Sequence, residues 1–252
     1  MREGRQQQIL ALLRQNEKIR VADLSAHLGV SQSTIRRDLD HLQRLGHLRR
    51  THGGALLVPS DAVEPPVFQR QVEQAEEKRR IARATAALIR DGETVFIGSG
   101  TTTYYVAQNL AERDNLTVIT NALNIANVFA TRKGITLVVV GGLVRQSELS
   151  MIGHIAEHTL GELRADKVIM GIRAISVENG LMNDYLPETL TDRAIINMAS
   201  QVIIVADHTK LGRTSTAFLA PISRVQVLVT DSGAPPELVG KFRQAGVQVI
   251  LA

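Results

Sequence analysis

Ser31-Gln32-Ser33-Thr34-Ile35-Arg36-Arg37-Asp38-Leu39 reads as a helix with two unlike faces. The Ser31 hydroxyl suits the N-cap, where it accepts an orphan N–H of the first turn. Ile35, Leu39 and Leu42 recur at spacings of four and three, so they share one face and pack inward. Ser33, Arg37, Asp40 and Arg44 fall opposite, with Thr34 and Arg36 on the flanks. Hydroxyls and guanidiniums at the exposed start of a helix suit contact with base edges and phosphates. They also suit a solvated surface helix, and the flanking sequence decides between the two.

Upstream, Ile9, Leu12 and Leu13 mark a helix over 6–15, and Lys18 to Val21 is a short connection or strand. Asp23 to Leu28 is a second short helix with Leu24 and Leu28 on one face. Gly29 then suits the left-handed conformation that ends a helix. Two short helices joined by a tight glycine-containing turn make a helix-turn-helix, and the Ser31 helix holds the recognition position. Downstream, Gly46 is expected to end it. His47 to Arg50 and Ala55 to Val58 are expected as strands around Thr51-His52-Gly53-Gly54, a hairpin signal. Such a hairpin is a wing, with Arg49, Arg50 and His52 towards phosphates or the minor groove, while Leu48, Leu56 and Leu57 complete a small core.

Charge supports this placement. Residues 1–56 hold ten Lys and Arg against five Asp and Glu, whereas the rest of the chain holds 19 against 20. A basic N-terminal module on a near-neutral body places a polyanion at the N-terminus. With only three Tyr, five Phe and no Trp, stacking on single-stranded nucleic acid is not expected to dominate. The 252 residues allow one large or two modest domains. The chain has no cysteine, which excludes disulfides and thiolate zinc sites and fits the cytoplasm. The mixed charges of Met1 to Arg14 do not read as a signal peptide, and no apolar run has the length of a membrane span.

Pro59, Pro65 and Pro66 mark a linker over 59–74. Ala75 to Arg90 follows as a helix buried through Ile81, Leu88 and Ile89, with the charges of Glu76 to Arg80 expected on a solvated face. From Gly92 the pattern changes. β-branched runs at 94–97, 117–120, 136–140, 168–172, 202–206, 225–230 and 247–251 alternate with helical stretches at 104–113, 122–130, 156–163, 189–198 and 237–244. Continuous apolar strands alternating with helices give a mostly parallel sheet covered on both faces.

Ligands of such sheets bind beyond the carboxyl ends of the strands. The first strand runs into Gly98-Ser99-Gly100-Thr101-Thr102-Thr103 just before a helix. Glycines there admit close approach, hydroxyls donate, and the helix start offers free N–H groups, which suits a phosphate; a threonine-rich helix cap is the alternative. Asn121, Gly141-Gly142, Arg173 and Asp207-His208-Thr209-Lys210 follow later strands, and Asn183 to Glu188 form a loop before the helix of Arg193. Lys210 suits a phosphate, and Asn121, Asp184 and Glu188 suit sugar hydroxyls. His208 reads as a structural or ligand-contacting histidine. His154 and His158 are assigned to surface or core. No metal site and no cofactor are expected.

Ser31-x-x-Thr34-Ile35-Arg36-Arg37-Asp38-Leu39 followed by Arg50-Thr51-His52-Gly53-Gly54-Ala55 resembles the N-terminal signature of the DeoR family of bacterial transcriptional regulators. Glu77-Lys78-x-x-Ile81-Ala82, Gly100-Thr101-Thr102, Thr120-Asn121, Gly141-Gly142 and Ala206-Asp207-His208-Thr209-Lys210-x-Gly212-Arg213 resemble its C-terminal sensor domain, so the resemblance covers nearly the whole chain. It implies a winged helix-turn-helix over 1–58, a linker over 59–74, and an α/β sensor over 75–252 with a Rossmann-like, mostly parallel sheet similar to ribose-5-phosphate isomerase. It also implies a cytoplasmic repressor of a sugar catabolism or uptake operon. That repressor would bind double-stranded operator DNA as a homodimer or homotetramer and answer to a phosphorylated sugar or related metabolite.

The expected DNA-binding residues are Ser31, Gln32, Ser33, Thr34, Arg36, Arg37, Arg49, Arg50 and His52. The reading surface is placed at Gln32 to Arg37, because Asp38 and Asp40 would repel phosphates; Asp40 is expected to pair with Arg36 or Arg37. The expected effector residues are Ser99, Gly100, Thr101, Thr102, Thr103, Asn121, Arg173, Asp184, Glu188 and Lys210. Isomerases of this fold carry an acidic Ala-Asp-Glu segment near the end of a central strand. Here the comparable Gly171-Ile172-Arg173-Ala174 has no carboxylate, which leaves Glu188 as a lone base. Binding without turnover is therefore expected. A sugar-phosphate enzyme with an accessory DNA-binding module, or an activator of the same type, is the alternative.

Overall fold

The computed structural model describes residues 2–16, 18–44, 48–51, 53–57 and 66–252. The chain divides into two compact units, Met1–Pro66 and Val67–Ala252.

The first unit runs α1 (Arg2–Asn16), β1 (Lys18–Arg20), α2 (Val21–Leu28), α3 (Gln32–Arg44), β2 (Leu48–Thr51) and β3 (Gly54–Leu57). Its three strands are antiparallel in the order β1-β3-β2. Ile9 and Leu13 of α1, Leu24 of α2, Ile35, Leu39 and Leu42 of α3, and Leu48 of β2 form one buried core. Two glycines are fixed by geometry. Gly29 ends α2 at φ 65, which only glycine adopts readily. A Cβ on Gly54 would lie 2.4 Å from Ile19 O, so β1 and β3 pair there only because the side chain is absent. Lys18 to Val21, read as a short connection or strand, supplies β1 as the third strand of the wing sheet, and Val21 already begins α2. Gly46, His47, His52, Val58 and 59–65 of the linker lie outside the described residues.

The second unit continues α4 (Val67–Arg70), α5 (Ala75–Ala86), β4 (Thr94–Ile97), α6 (Thr101–Leu110), β5 (Leu116–Thr120), α7 (Leu123–Phe129), β6 (Ile135–Val139), β7 (Leu143–Arg145), β8 (Ser150–Ile152), α8 (His154–Glu162) and β9 (Ala165–Gly171). It ends with β10 (Ala174–Ser176), β11 (Gly180–Asn183), α9 (Thr189–Asn197), β12 (Ala199–Val205), β13 (Ala217–Ala220), β14 (Val227–Thr230), α10 (Pro236–Gln244) and β15 (Gln248–Leu251). Residues 67–74, read as linker from the prolines, are instead helix and turn of this unit, and Val67 is buried.

Seven strands form a fully parallel sheet in the order β15-β14-β12-β9-β4-β5-β6. Alternate residues serve opposite layers, as the period of two requires. Val95 and Ile97 of β4 pack with Ile81 of α5, Val106 of α6 and Ile125 of α7. Phe96 between them packs with Ala156 of α8, Ile195 of α9 and Phe242 of α10. This is the three-layer α/β unit that the sequence implied. A hairpin β7–β8 and a small antiparallel sheet β10-β11-β13 are added at the carboxyl end of the main sheet.

Candidate functional site

The recognition-position helix presents the polar face expected of it. Ser31 caps α3, with Thr34 N–H donating to its Oγ at 3.3 Å. The Ser33 and Thr34 hydroxyls lie 2.8 and 2.9 Å from that oxygen, so the three hydroxyls form one cluster at the helix start. Ser31, Gln32, Ser33, Arg36 and Arg37 are exposed, and Thr34 is half-buried.

The acidic residues differ from expectation. Asp38 is 1% exposed and faces inward, accepting from Arg5 Nε at 2.6 Å and from Gln6 Nε2 at 3.3 Å. It ties α3 to α1 and stands away from the polar face. Asp40 pairs with Arg50 of β2, so the wing is clipped to the second half of α3. The Arg50 N–H adds a 3.3 Å bond to Gln43 Oε1. Arg50 is therefore half-buried and engaged with its own unit. The Arg49 side chain and His52 lie outside the described residues.

In the second unit the chain reverses direction across the sheet between β4 and β9. From β4 it moves outward to β5 and β6, and from β9 it moves the other way. Ligands of open α/β sheets bind at such a switch point. The Gly98–Gly100 turn lies on one side of it and Gly171 to Arg173 on the other. Gly98 N–H donates to Ile169 O at 2.9 Å. Gly100 has φ 137, open only to glycine, and caps α6. Its carbonyl accepts from Tyr104 N–H at 3.2 Å and Thr103 Oγ1 at 3.1 Å. Thr103 is thus a fully buried brace of the turn, while the N–H groups of Thr101 and Thr102 have no carbonyl within the helix to bond. Thr101 and Thr102 are buried, and Ser99 is half-buried.

Lys78, assigned to a solvated face from its charged neighbours, is 5% exposed. It lies on the inward stripe of α5 with Ile81, Ala82 and Thr85, and its Nζ donates to Arg70 O at 2.6 Å. Burial lowers its pKa from 10.5 to about 8; Asp207 and Glu73 act against the shift, and Lys210 and Arg70 reinforce it. Burial likewise lowers Lys210, opposed by Asp207 and aided by Arg173, Arg70 and Arg213. Asp207 is a buried carboxylate whose field acts on both Lys78 and Lys210. Arg173 also pairs with Asp184 at 3.1 Å, and Arg70 with Glu148. The end of α4 meets α6, where Tyr105 OH donates to Gln71 O at 3.4 Å. Lys210 closes a 3-10 turn that Asp207 caps through Thr209 N–H at 3.0 Å. His208 Nδ1 lies 2.8 Å from Asp231 Oδ2, a structural pairing.

The residues expected to meet a sugar are engaged with the protein. Asn121 is 1% exposed and clamps the β7–β8 hairpin, its Nδ2 donating to Met151 O at 3.2 Å and its carbonyl accepting Met151 N–H at 2.7 Å. Its buried Oδ1 has no hydrogen-bond partner among the described residues. Glu188 is buried, accepts from Ser150 Oγ at 2.7 Å and pairs with Arg145, whose guanidinium stacks 4.1 Å over the Tyr185 ring. Nor is Glu188 alone. Asp192, one helical turn on, is buried beside it, and burial first and the Glu188 charge second push its carboxyl well above the usual range. Asn183 links this layer to the cations, donating to Asp192 Oδ2 at 2.7 Å and accepting Arg173 N–H at 3.1 Å. Asp192, Glu148 and Arg145 did not stand out in the sequence; the spacing of four between Glu188 and Asp192 was the available sign.

A helix-turn-helix with a polar recognition face, joined to an α/β unit with a glycine turn and a helix start at its switch point, is the architecture of a DNA-binding regulator with a ligand-binding domain. Family models agree. The DeoR-like helix-turn-helix domain matches residues 5–61, and the DeoR C terminal sensor domain matches 73–232. The chain belongs to the DeoR family of transcriptional regulators. It is 38% identical to the transcriptional repressor AccR of Agrobacterium fabrum, over 92% of this chain and 90% of that one. It is 35% identical to the glycerol-3-phosphate regulon repressor of Escherichia coli, over 96% of each. Among solved structures, ribose 5-phosphate isomerase A from Methanocaldococcus jannaschii superposes with a TM-score of 0.42 at 16% identity, over 55% of each chain. No helix among the described residues is long and apolar enough to cross a membrane.

Proposed function

We propose that this chain is a cytoplasmic repressor of a sugar catabolism or uptake operon, released from its operator by a phosphorylated sugar or a closely related metabolite. The reading rests on the glycine turn and free N–H groups that start α6, which the end of β9 approaches so closely that a Cβ on Gly171 would lie 3.7 Å from Ser99 O, together with the mutual fields of Lys78, Lys210, Arg70 and Arg173. A buried ammonium such as Lys78, in the field of half-buried cations, is stabilised when an anion arrives. Ser99, Gly100, Thr101 and Thr102 supply donors to the phosphate, and Lys210 and Lys78 supply charge. The polyol end lies towards Arg173, Asp184 and the Asn121 oxygen. On DNA, Gln32, Ser33, Arg36 and Arg37 of two protomers, in a homodimer or homotetramer, read repeated half-sites. The repressors it resembles, one named for a glycerol-3-phosphate regulon, support this class of ligand.

The site binds without turnover. No carboxylate stands at 171–174, and Glu188 is committed to Arg145 and Ser150. A thermal-shift panel of sugar phosphates, followed by operator binding with each hit, tests the reading. One ligand should raise the melting temperature and release DNA. Isomerisation of that ligand, or a panel with no hit, would refute it.

A further inference from the structure

Helix α4 is the first element of the sensor unit after the linker, and two contacts fasten it to the turn between β7 and β8. Val67 N–H donates to Ser147 O at 2.7 Å, and the Arg70 guanidinium pairs with the buried carboxylate of Glu148. Arg70 meets the cation cluster at its other end, where its carbonyl accepts from Lys78 Nζ. The turn has its own anchors: Arg145 pairs with Glu188 and donates to Ser147 Oγ at 3.1 Å. Two residues with side chains sit in the left-handed region at the borders of this arrangement. Leu149 has φ 56 at the end of the turn, and Gln74 has φ 50 where α4 joins α5. Such conformations persist only where surrounding contacts impose them.

We propose that the Arg70–Glu148 pair is a latch that the phosphate of the effector opens, changing the hold on α4. The inference rests on the phosphate site proposed above. A phosphate dianion beside Lys78 and Lys210 carries more charge than the Glu148 carboxylate and matches the fork of a guanidinium. It draws Arg70 from Glu148 and Lys78 from the Arg70 carbonyl. The contacts that impose the backbone at Leu149 and Gln74 weaken together, so the segment has two discrete arrangements. A ligand that binds one of them better shifts the population, which is what regulation requires.

Hydrogen exchange of the full chain, read on peptides spanning 67–74, tests this with inorganic phosphate as the probe and chloride at matched ionic strength as the control. Phosphate at a concentration that raises the melting temperature should speed exchange of this segment by roughly 5- to 150-fold, the usual range of such couplings. Glu148→Gln should exchange it at the fast rate without phosphate and bind phosphate more tightly by the same factor, because coupling is reciprocal. If phosphate stabilises the wild type and leaves exchange of 67–74 unchanged, the latch is wrong and the phosphate site stands. If phosphate neither stabilises nor binds, both fall. Should Glu148→Gln fail to fold, the wild-type comparison still decides.

Discussion

Lys78 Nζ donates to the Arg70 carbonyl at 2.6 Å from a side chain that is 5% exposed. A cation is thereby held under α4 with other cations, Lys210 and Arg70, in its field. Lys78→Met relieves the desolvation of a buried ammonium but leaves the Arg70 carbonyl and the Asp207 carboxylate without this partner. The two effects oppose each other, so stability at pH 7 should change by less than about 3 kcal/mol, which calorimetry measures. The same variant should lose the stabilisation by sugar phosphate. A variant as responsive as the wild type would remove Lys78 from the site.

The Lys78 ammonium also sets a pH dependence. Its pKa lies at about 8 in the folded chain against 10.5 ordinarily, so the unfolded chain binds more protons between those values. The burden of the buried charge is full below pH 8 and is relieved as the pH rises towards 10.5. Asp207 and Glu73 face the amine as anions, and Lys210 and Arg70 as cations. A bound phosphate adds negative charge and raises the pKa again. Binding near pH 8.5 should then take up a proton, seen as a calorimetric enthalpy that varies with the ionisation enthalpy of the buffer. Lys78→Met should remove that variation.

The polar start of α3 makes separate predictions for Arg36 and Arg37. Both are exposed, Arg37 opposite Ile35, Leu39 and Leu42 and Arg36 on the flank of α3. Arg36→Ala and Arg37→Ala should each weaken operator binding by about 1–3 kcal/mol if they touch base edges. A phosphate contact would instead reduce the salt slope by about one with little change in sequence preference. Ile35→Ala acts through the core and should cost about 2–5 kcal/mol of stability. Fluorescence anisotropy over a salt series, paired with thermal melts, separates the two mechanisms.

The sequence was most legible where one physical rule dominated. The central strands of the parallel sheet are apolar runs buried on both faces, which is why they read as continuous runs, while the edge strands β6 and β15 are partly exposed. The short strands β7, β8, β10, β11 and β13 are three or four residues long and too brief to show a period. Lys78 and Asp38 were obscured by their neighbours. In Glu76 to Arg80 and Arg36 to Asp40, charge alone suggests solvent. Helical phase tells otherwise, since Lys78 precedes Ile81, Ala82 and Thr85 by three, four and seven, and Asp38 follows Ile35 by three and precedes Leu42 by four. Their partners, Arg70 and Arg5, come from other elements, and only the fold brings them together. The same holds for Glu148, whose pairing with Arg70 spans two elements with no shared pattern.

Asp192 gives the last prediction and a test of the carboxylate layer. Burial and the neighbouring Glu188 raise its pKa well above 3.8, while Asn183 and Arg145 act against the shift. The folded chain thus binds more protons than the unfolded chain from 3.8 up to the raised pKa. Stability associated with this group is full below that window and falls as the pH rises through it. Asp192→Asn keeps an oxygen for Asn183 and carries no charge at any pH. Its stability relative to the wild type should therefore be near zero at acidic pH and grow as the pH is raised to 8. Denaturant titrations at several pH values read this difference directly. A gain independent of pH would mean that packing, and not ionisation, governs the site.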